Sequence, residues 1–508
     1  MGVRIHEVFV RNYPFKEYGA HLFGYLGQIS EKELEEKKAQ HYRPDDVVGM
    51  IGLEKTYEPE LKGIDGVIIY EMDAYNRTLR QLEEIAPIAG NSLKLTVDWD
   101  LQLTAEQALR ERLQYLRSEK GQARAGTVIA LDPKTGAILT MVSYPSFDPN
   151  MFVGKTPPDW YQKMARNPLH PFMNRAISSY PPGSVFKAVT ALAALEEKVV
   201  GTSEKFFCTG YDPIFKDKKK CWTVSQGKPP HGRVDLVAGI KNSCNIVFYE
   251  LGRRLTIERL AEYAREMGFG QKTGLKFYPQ EKEGIVPDPA YRGKYYRKNP
   301  EMARWYPSET LSVAIGQGEL LVTPLQIAQL YMAIANCGKV YRPHLIQEMK
   351  DCNGQTIKVY RPEVMYRLNY RHESWQIVQE GLKAVAGPGG TAGGAFYGTS
   401  YEVAGKTGTA QNSMGDDHGW FAGYAPFNNP QIVVVVMIEC GGAGSTAAAP
   451  IARKVIDKYL GVETRYALPS KSRPSPSPGA EQPQATPPPP EVATGEEETV
   501  VGEETSRQ

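Results

Sequence analysis

Long hydrophobic runs are missing from this 508-residue sequence. No apolar stretch reaches the roughly 18 residues that a membrane-spanning helix needs. No apolar core of a secretory signal lies near Met1. Cysteine is scarce, with six in the chain, which excludes a disulfide scaffold. Neither charge sign dominates: 60 Lys and Arg face 58 Asp and Glu, a net +2, so nothing favours nucleic acid as a partner. No internal repeat is evident. A phosphate-binding loop is excluded around Gly405-Lys406-Thr407, because that pattern needs glycine five residues before Gly405 and Ser400 stands there. With 41% apolar and 23% charged residues the composition is that of a globular protein, long enough for two to three domains.

Against these absences stands Ser184-Val185-Phe186-Lys187. It follows Tyr180-Pro181-Pro182-Gly183 and opens an apolar run over 188–195, which reads as a turn into a buried helix. Residues three apart share a helix face, so Ser184 and Lys187 are expected to meet. A serine hydroxyl is a weak nucleophile until a base takes its proton, and a desolvated lysine can be that base. The spacing alone is weak, since Ser225-Gln226-Gly227-Lys228 shares it in a Gly/Pro/Lys-rich loop. Serine–lysine acyl-transfer enzymes add S-x-N and then K-T-G in chain order. Ser243-Cys244-Asn245 and Lys406-Thr407-Gly408 supply both. Lys134-Thr135-Gly136 reads as a hairpin turn and Lys272-Thr273-Gly274 as a connection. Only Lys406-Thr407-Gly408 continues into Thr409-Ala410-Gln411, with a strongly apolar strand soon after at 432–438. Asp417-His418 suggests a Ser-His-Asp triad, but Lys187 already provides a base, so His418 reads as a strand residue lining or flanking the cleft.

With these motifs the sequence resembles the penicillin-binding proteins, specifically the class B D,D-transpeptidases. The resemblance extends to Thr96-Val97-Asp98-Trp99-Asp100-Leu101-Gln102, Asn174-Arg175-Ala176, Gly316-Gln317-Gly318, Thr323-Pro324-Leu325-Gln326 and His418-Gly419-Trp420-Phe421-Ala422-Gly423-Tyr424. Cys221-Trp222 followed by His231-Gly232-Arg233-Val234 looks like the elongation-type member. The resemblance implies that Ser184 attacks the penultimate D-Ala carbonyl of a D-Ala-D-Ala stem peptide and that Lys187 accepts its proton. Ser243 would relay a proton to the departing D-alanine. Asn245 would hold the peptide and orient Lys187. Lys406, Thr407, Gly408 and Thr409 would receive the terminal carboxylate. The N–H groups of Ser184 and Thr409 would form an oxyanion hole, such a donor being worth about 3–4 kcal/mol of barrier. β-Lactams would be trapped as acyl-enzymes. No cofactor is expected for catalysis, and a membrane glycan polymerase of the elongation machinery is the expected partner. The rivals are a serine β-lactamase or D,D-carboxypeptidase, and a β-lactam sensor or inactive scaffold.

The expected fold is α+β, an antiparallel sheet flanked by helices after a partial pedestal. Expected domains are the pedestal at 1–92, the transpeptidase domain at 93–462 and a Pro/Ser-rich, acidic, disordered tail at 463–508. Within the second domain, 104–117 reads as a charged amphipathic helix, 126–143 as a hairpin, 401–440 as further strands and 446–460 as a closing helix. The opening resembles the middle of the family's pedestal, which implies a truncated chain or a shortened gene product. The family works at the outer face of the cytoplasmic membrane, so the periplasm is the expected location. Cys208, Cys221, His231 and Cys244 fall between the first two motifs. Three thiolates and an imidazole would make a closed structural zinc site, and some elongation-type relatives carry a metal in this region. A Cys208–Cys221 disulfide or free thiols are the alternatives. Cys337, Cys352 and Cys440 read as ordinary residues.

Overall fold

The run Ile432-Val433-Val434-Val435-Val436-Met437-Ile438 has no polar alternation, so as a strand it must be covered on both faces. In the computed structural model, which describes residues 10–37, 42–119, 121–276 and 280–463, this strand lies at the centre of a five-stranded sheet. The strands are β1 (Ala125–Leu131), β2 (Ile138–Tyr144), β3 (Ala404–Ala410), β4 (His418–Ala425) and β5 (Ile432–Glu439). They run β3-β4-β5-β1-β2, every pair antiparallel. The turn between β1 and β2 holds Lys134-Thr135-Gly136. There the Asp132 carboxylate accepts from the Lys134 N–H at 2.8 Å and from Thr135 Oγ1 at 2.8 Å.

Helices α1 (Trp99–Ser118), α2 (Lys187–Glu196), α3 (Asn245–Glu266), α4 (Pro307–Ala314), α5 (Pro324–Ala335) and α6 (Ala449–Leu460) frame the sheet. α1 and α6 pack together over the sheet, and α5 lies against β1, β4 and β5. α1 begins five residues before the expected start because Asp98 caps it, accepting from the Leu101 N–H. The closing helix starts at Ala449, later than expected. Pro450 falls in its first turn, and 444–447 forms a separate short helix. Beyond Glu463 the expected tail lies outside the described residues.

The described part of 10–92 consists of short elements and the two-stranded ribbon Val67–Met72 with Thr78–Ile85. It joins the rest through matched polar and aromatic contacts. Tyr13 and Asn150 exchange hydrogen bonds at 2.9 and 2.8 Å. The Gly19 N–H donates to Glu106 at 2.8 Å. Tyr25 stacks on Phe152 at 3.9 Å and meets Phe147 edge-on at 5.7 Å.

Candidate active site

The Pro181-Pro182-Gly183 stop is built by close backbone approach. The Gly183 N–H donates to Gly316 O at 2.8 Å. A Cβ on Gly316, at φ +78°, would lie 2.0 Å from Gly183 O, and one on Gly183, at φ +56°, would lie 2.7 Å from Thr409 O. Only glycine fits either place. Residues 183–186 then form a 3₁₀ turn, and the α-helix begins at Lys187. The serine–lysine motif therefore straddles two helix types, where the sequence suggested one helix face. In a 3₁₀ turn residues i and i+3 eclipse, so Ser184 and Lys187 still stand over the same side. The Lys187 N–H donates to Ser184 O within that turn, and no hydrogen bond joins their side chains.

Lys187 is fully buried and its ammonium is satisfied elsewhere. Nζ donates to Ser243 O at 2.8 Å, Ser243 Oγ at 3.2 Å and Asn245 Oδ1 at 2.7 Å. Three acceptors match three N–H donors. When the amine is neutral it keeps two donors and gains a lone pair, which leaves one direction open to the serine hydroxyl. Burial pushes Lys187 down to about 8, with the Cys221 and Cys244 thiols opposing that shift. Ser243 holds φ +51°, a left-handed backbone costly for a non-glycine residue. Cys244 is the N-cap of α3 and Asn245 its first residue.

β3 is an edge strand of the sheet and faces the 183–186 turn. Lys406 is buried, donates to Thr407 O at 2.9 Å and is held well below the usual lysine range by burial, with the charge of Lys187 adding to the effect. Gln317 Nε2 donates to Thr409 O at 3.4 Å. In a strand the N–H and C=O of one residue point the same way, so the Thr409 N–H also faces away from β4 and into the cleft. The Ser184 N–H lies in the first turn of its helix, where no intrahelical partner exists. The structure thus brings Ser184, Ser243, Asn245, Thr407 and Thr409 to one cleft of about 610 Å³, with Lys187 and Lys406 behind its wall. Gly408 sits between the two threonines on β3, and a side chain there would meet Trp420 at 2.9 Å.

His418 is not a catalytic base. It is buried on β4, its Nδ1 accepts from the Cys440 N–H at 3.1 Å, and its ring meets Tyr180 edge-on. Sequence reasoning missed Thr391, whose Oγ1 lies 2.7 Å from Thr407 Oγ1. It gave Arg175 no role. Arg175 Nε donates to Glu439 at 2.7 Å, and Tyr180 donates to the same oxygen at 2.8 Å. This buried pair ties the end of β5 to the segment entering the nucleophile turn. The residues lie 259 or more positions apart, a separation no local pattern reports.

Cys208, Cys221, His231 and Cys244 also converge, their ligand atoms all within 4.8 Å of one another. The cysteines are free thiols and the three sulfurs are buried, so no Cys208–Cys221 disulfide is formed. The His231 Nδ1 lies 3.4 Å from Cys221 Sγ and 3.8 Å from Cys208 Sγ. A tetrahedral ion with metal–sulfur bonds near 2.3 Å sets its ligands about 3.8 Å apart, so this donor set fits a closed zinc site. Hydrogen bonds from Cys208 and Cys244 draw Cys221 towards the thiolate, and the two neighbouring thiols raise His231 to about 9. Cys337 and Cys352 are exposed and apart from this cluster.

Comparison with known proteins finds relatives along most of the chain. Residues 126–457 match the penicillin binding protein transpeptidase domain, and residues 1–95 match the penicillin-binding protein dimerisation domain. The chain is 33% identical over 90% of its length to the peptidoglycan D,D-transpeptidase MrdA of Haemophilus influenzae, covering 70% of that protein. It is 29% identical, with a TM-score of 0.76, to the penicillin-binding protein 2 of Helicobacter pylori in its complex with MreC, over 89% of this chain and 79% of that one. It is 34% identical, with a TM-score of 0.77, to a chain of a peptidoglycan synthase complex that coordinates polymerization and crosslinking, over 90% of this chain and 77% of that one.

Proposed function

The chain belongs to the class B penicillin-binding proteins, peptidoglycan D,D-transpeptidases inhibited by β-lactams, and on that footing we propose a role for each residue of the cleft. The carrying observation is Lys187, a buried lysine bonded to both Ser243 and Asn245 one helix turn from Ser184.

Neutral Lys187 takes the Ser184 proton as Oγ bonds to the carbonyl carbon of the penultimate D-Ala. The Ser184 and Thr409 N–H groups receive the oxyanion. The tetrahedral species collapses, the peptide C–N bond breaks, and the leaving D-alanine amine takes its proton through Ser243. An amine of a second stem peptide then attacks the Ser184 ester, forming the cross-link and returning the serine. Lys406, Thr407 and Thr409 hold the terminal carboxylate of the donor, with Thr391 fixing the Thr407 hydroxyl. No step in this scheme uses a cofactor. Incubation with a D-Ala-D-Ala stem peptide and a free amine acceptor should release D-alanine and give the amide product. D-alanine release with no acceptor incorporated under any condition would point to a carboxypeptidase.

We further propose zinc in the Cys208, Cys221, His231 and Cys244 site. Bound there, it would fix the 243–245 turn from behind and lend folding energy, without entering the chemistry. Protein purified without chelator should contain about one zinc per chain; a content well below that, in well-folded protein, rejects the site. The proposed domain limits are 1–92, 93–462 and 463–508. Among the described residues no helix is long and apolar enough to cross a membrane. Work at the outer face of the cytoplasmic membrane beside a glycan polymerase is proposed from the relatives, one of which acts in a complex coordinating polymerization and crosslinking.

A further inference from the structure

The cleft has one wall that the mechanism leaves unused. The strand Lys216–Lys220, sequence Lys-Asp-Lys-Lys-Lys, pairs with the short strand Tyr211–Asp212 and lies directly beside the second motif. Asn245 Nδ2 donates to Lys220 O at 3.2 Å, which fixes this strand to the catalytic turn. Lys218, Lys219, Lys220 and Lys228 line the same cleft as Ser184, and Asp217 and Asp417 are its acidic lining residues.

None of the four lysines stands within ion-pair distance of a carboxylate among the described residues. Asp212, the nearest buried acid of the hairpin, is engaged by Arg253, and Glu309 on α4 by Arg292. Lys219 is the most buried of the four and donates to Ser312 Oγ on α4, so it bridges two elements at the edge of the cleft. Lys228 lies over the Trp222 ring at 5.2 Å. Four lysines thus line this side of the cleft against two aspartates, Asp217 and Asp417, which leaves an excess of positive charge beside Ser184.

The substrate path explains the arrangement. With its terminal carboxylate on β3 and its penultimate carbonyl at Ser184, as proposed above, a donor stem that passes Asn245 would meet the lysine strand bonded to it. The residues two and three places before the scissile bond are one and two residues beyond the one held at Ser184, so they lie about 3 and 7 Å further on at roughly 3.3 Å per extended residue. We infer that the lysine wall at Lys218, Lys220 and Lys228 selects donor stems whose upstream residues carry free carboxylates over stems in which those groups are amidated. The carboxylate could come from two places: the α-carboxyl left free by a γ-linked D-glutamyl second residue, or the side-chain carboxyl of a third-residue diamino acid. The inference rests on the transpeptidase reading above.

Competition separates the two. Wild-type protein is labelled with fluorescent penicillin in the presence of synthetic stem pentapeptides that are unmodified, amidated at the second residue, amidated at the third, or amidated at both. If wild-type protein takes no penicillin, the transpeptidase reading itself fails. If it is labelled, the unmodified stem should slow labelling at about tenfold lower concentration than the doubly amidated stem, since two exposed charge contacts of roughly threefold each multiply. The singly amidated stems divide that preference between the two carboxylates, each losing about threefold where both are read and the whole preference falling on one where only that one is read. A Lys218→Gln/Lys220→Gln/Lys228→Gln variant, shown folded by circular dichroism, should bring the two concentrations together. Equal competition by all four stems against wild type, no competition by any, or a preference that survives in the triple variant overturns the inference.

Discussion

Lys187 sets the pH behaviour of the cleft. Burial lowers it to about 8, so the neutral, proton-accepting form is a minority below that pH and dominates above it. Penicillin acylation should therefore rise about tenfold per pH unit below 8 and level off above, as expected of a general base that must be unprotonated. A rate independent of pH between 6 and 9, a span of about three units that brackets its titration, would remove Lys187 from that role. Lys187→Ala should slow acylation by about 10²–10⁴. Glu439 makes a different prediction. Glu439→Gln leaves Arg175 charged and unpaired in the interior and should cost about 3–5 kcal/mol in denaturant unfolding; a loss under about 1 kcal/mol would mean the pair is not buried as described. The residues that converge on the cleft were legible in the sequence because their motifs are short and ordered. The Arg175–Glu439–Tyr180 tie was not, because only the folded sheet brings its members together. The direct Ser184–Lys187 contact read from spacing was also too simple, since spacing says nothing of Ser243 and Asn245 competing for the same ammonium.

Elements place these groups more tightly than side chains could alone. The nucleophile turn is threaded between Gly316 and Thr409, so Gly316→Ala must move the Gly183 carbonyl. A displacement near 1 Å at a reacting group costs about 100-fold, and acylation by penicillin should fall on that order. An unchanged rate would show that the turn has room to give. Strand β5 was readable as buried on both faces because seven apolar residues run without a break. The start of α1 was misplaced because Asp98, its cap, precedes the amphipathic pattern that marked the helix, and the break before α6 was hidden because the apolar pattern runs through Pro450. The Lys216–Lys220 strand was not foreseen as one, since charge repulsion makes it a poor strand by propensity. Its pairing with Tyr211–Asp212 and the Asn245–Lys220 bond hold it in place.

Across the whole molecule, the described part of the pedestal is packed onto the catalytic region. Tyr25 lies against Phe152 and Phe147, and its removal strips one face from that aromatic cluster. Tyr25→Ala should lower stability by about 1–3 kcal/mol through lost burial and ring contact, read as a lower melting temperature. No change would mean the two regions fold independently. The central claim concerns a single atom, Ser184 Oγ. Its most direct test is intact-mass spectrometry after incubation with a fluorescent penicillin, on the wild type and on Ser184→Ala. The account predicts one stable adduct per wild-type chain and none on the variant; an adduct that persists in Ser184→Ala, or folded wild-type protein that takes none, would contradict it.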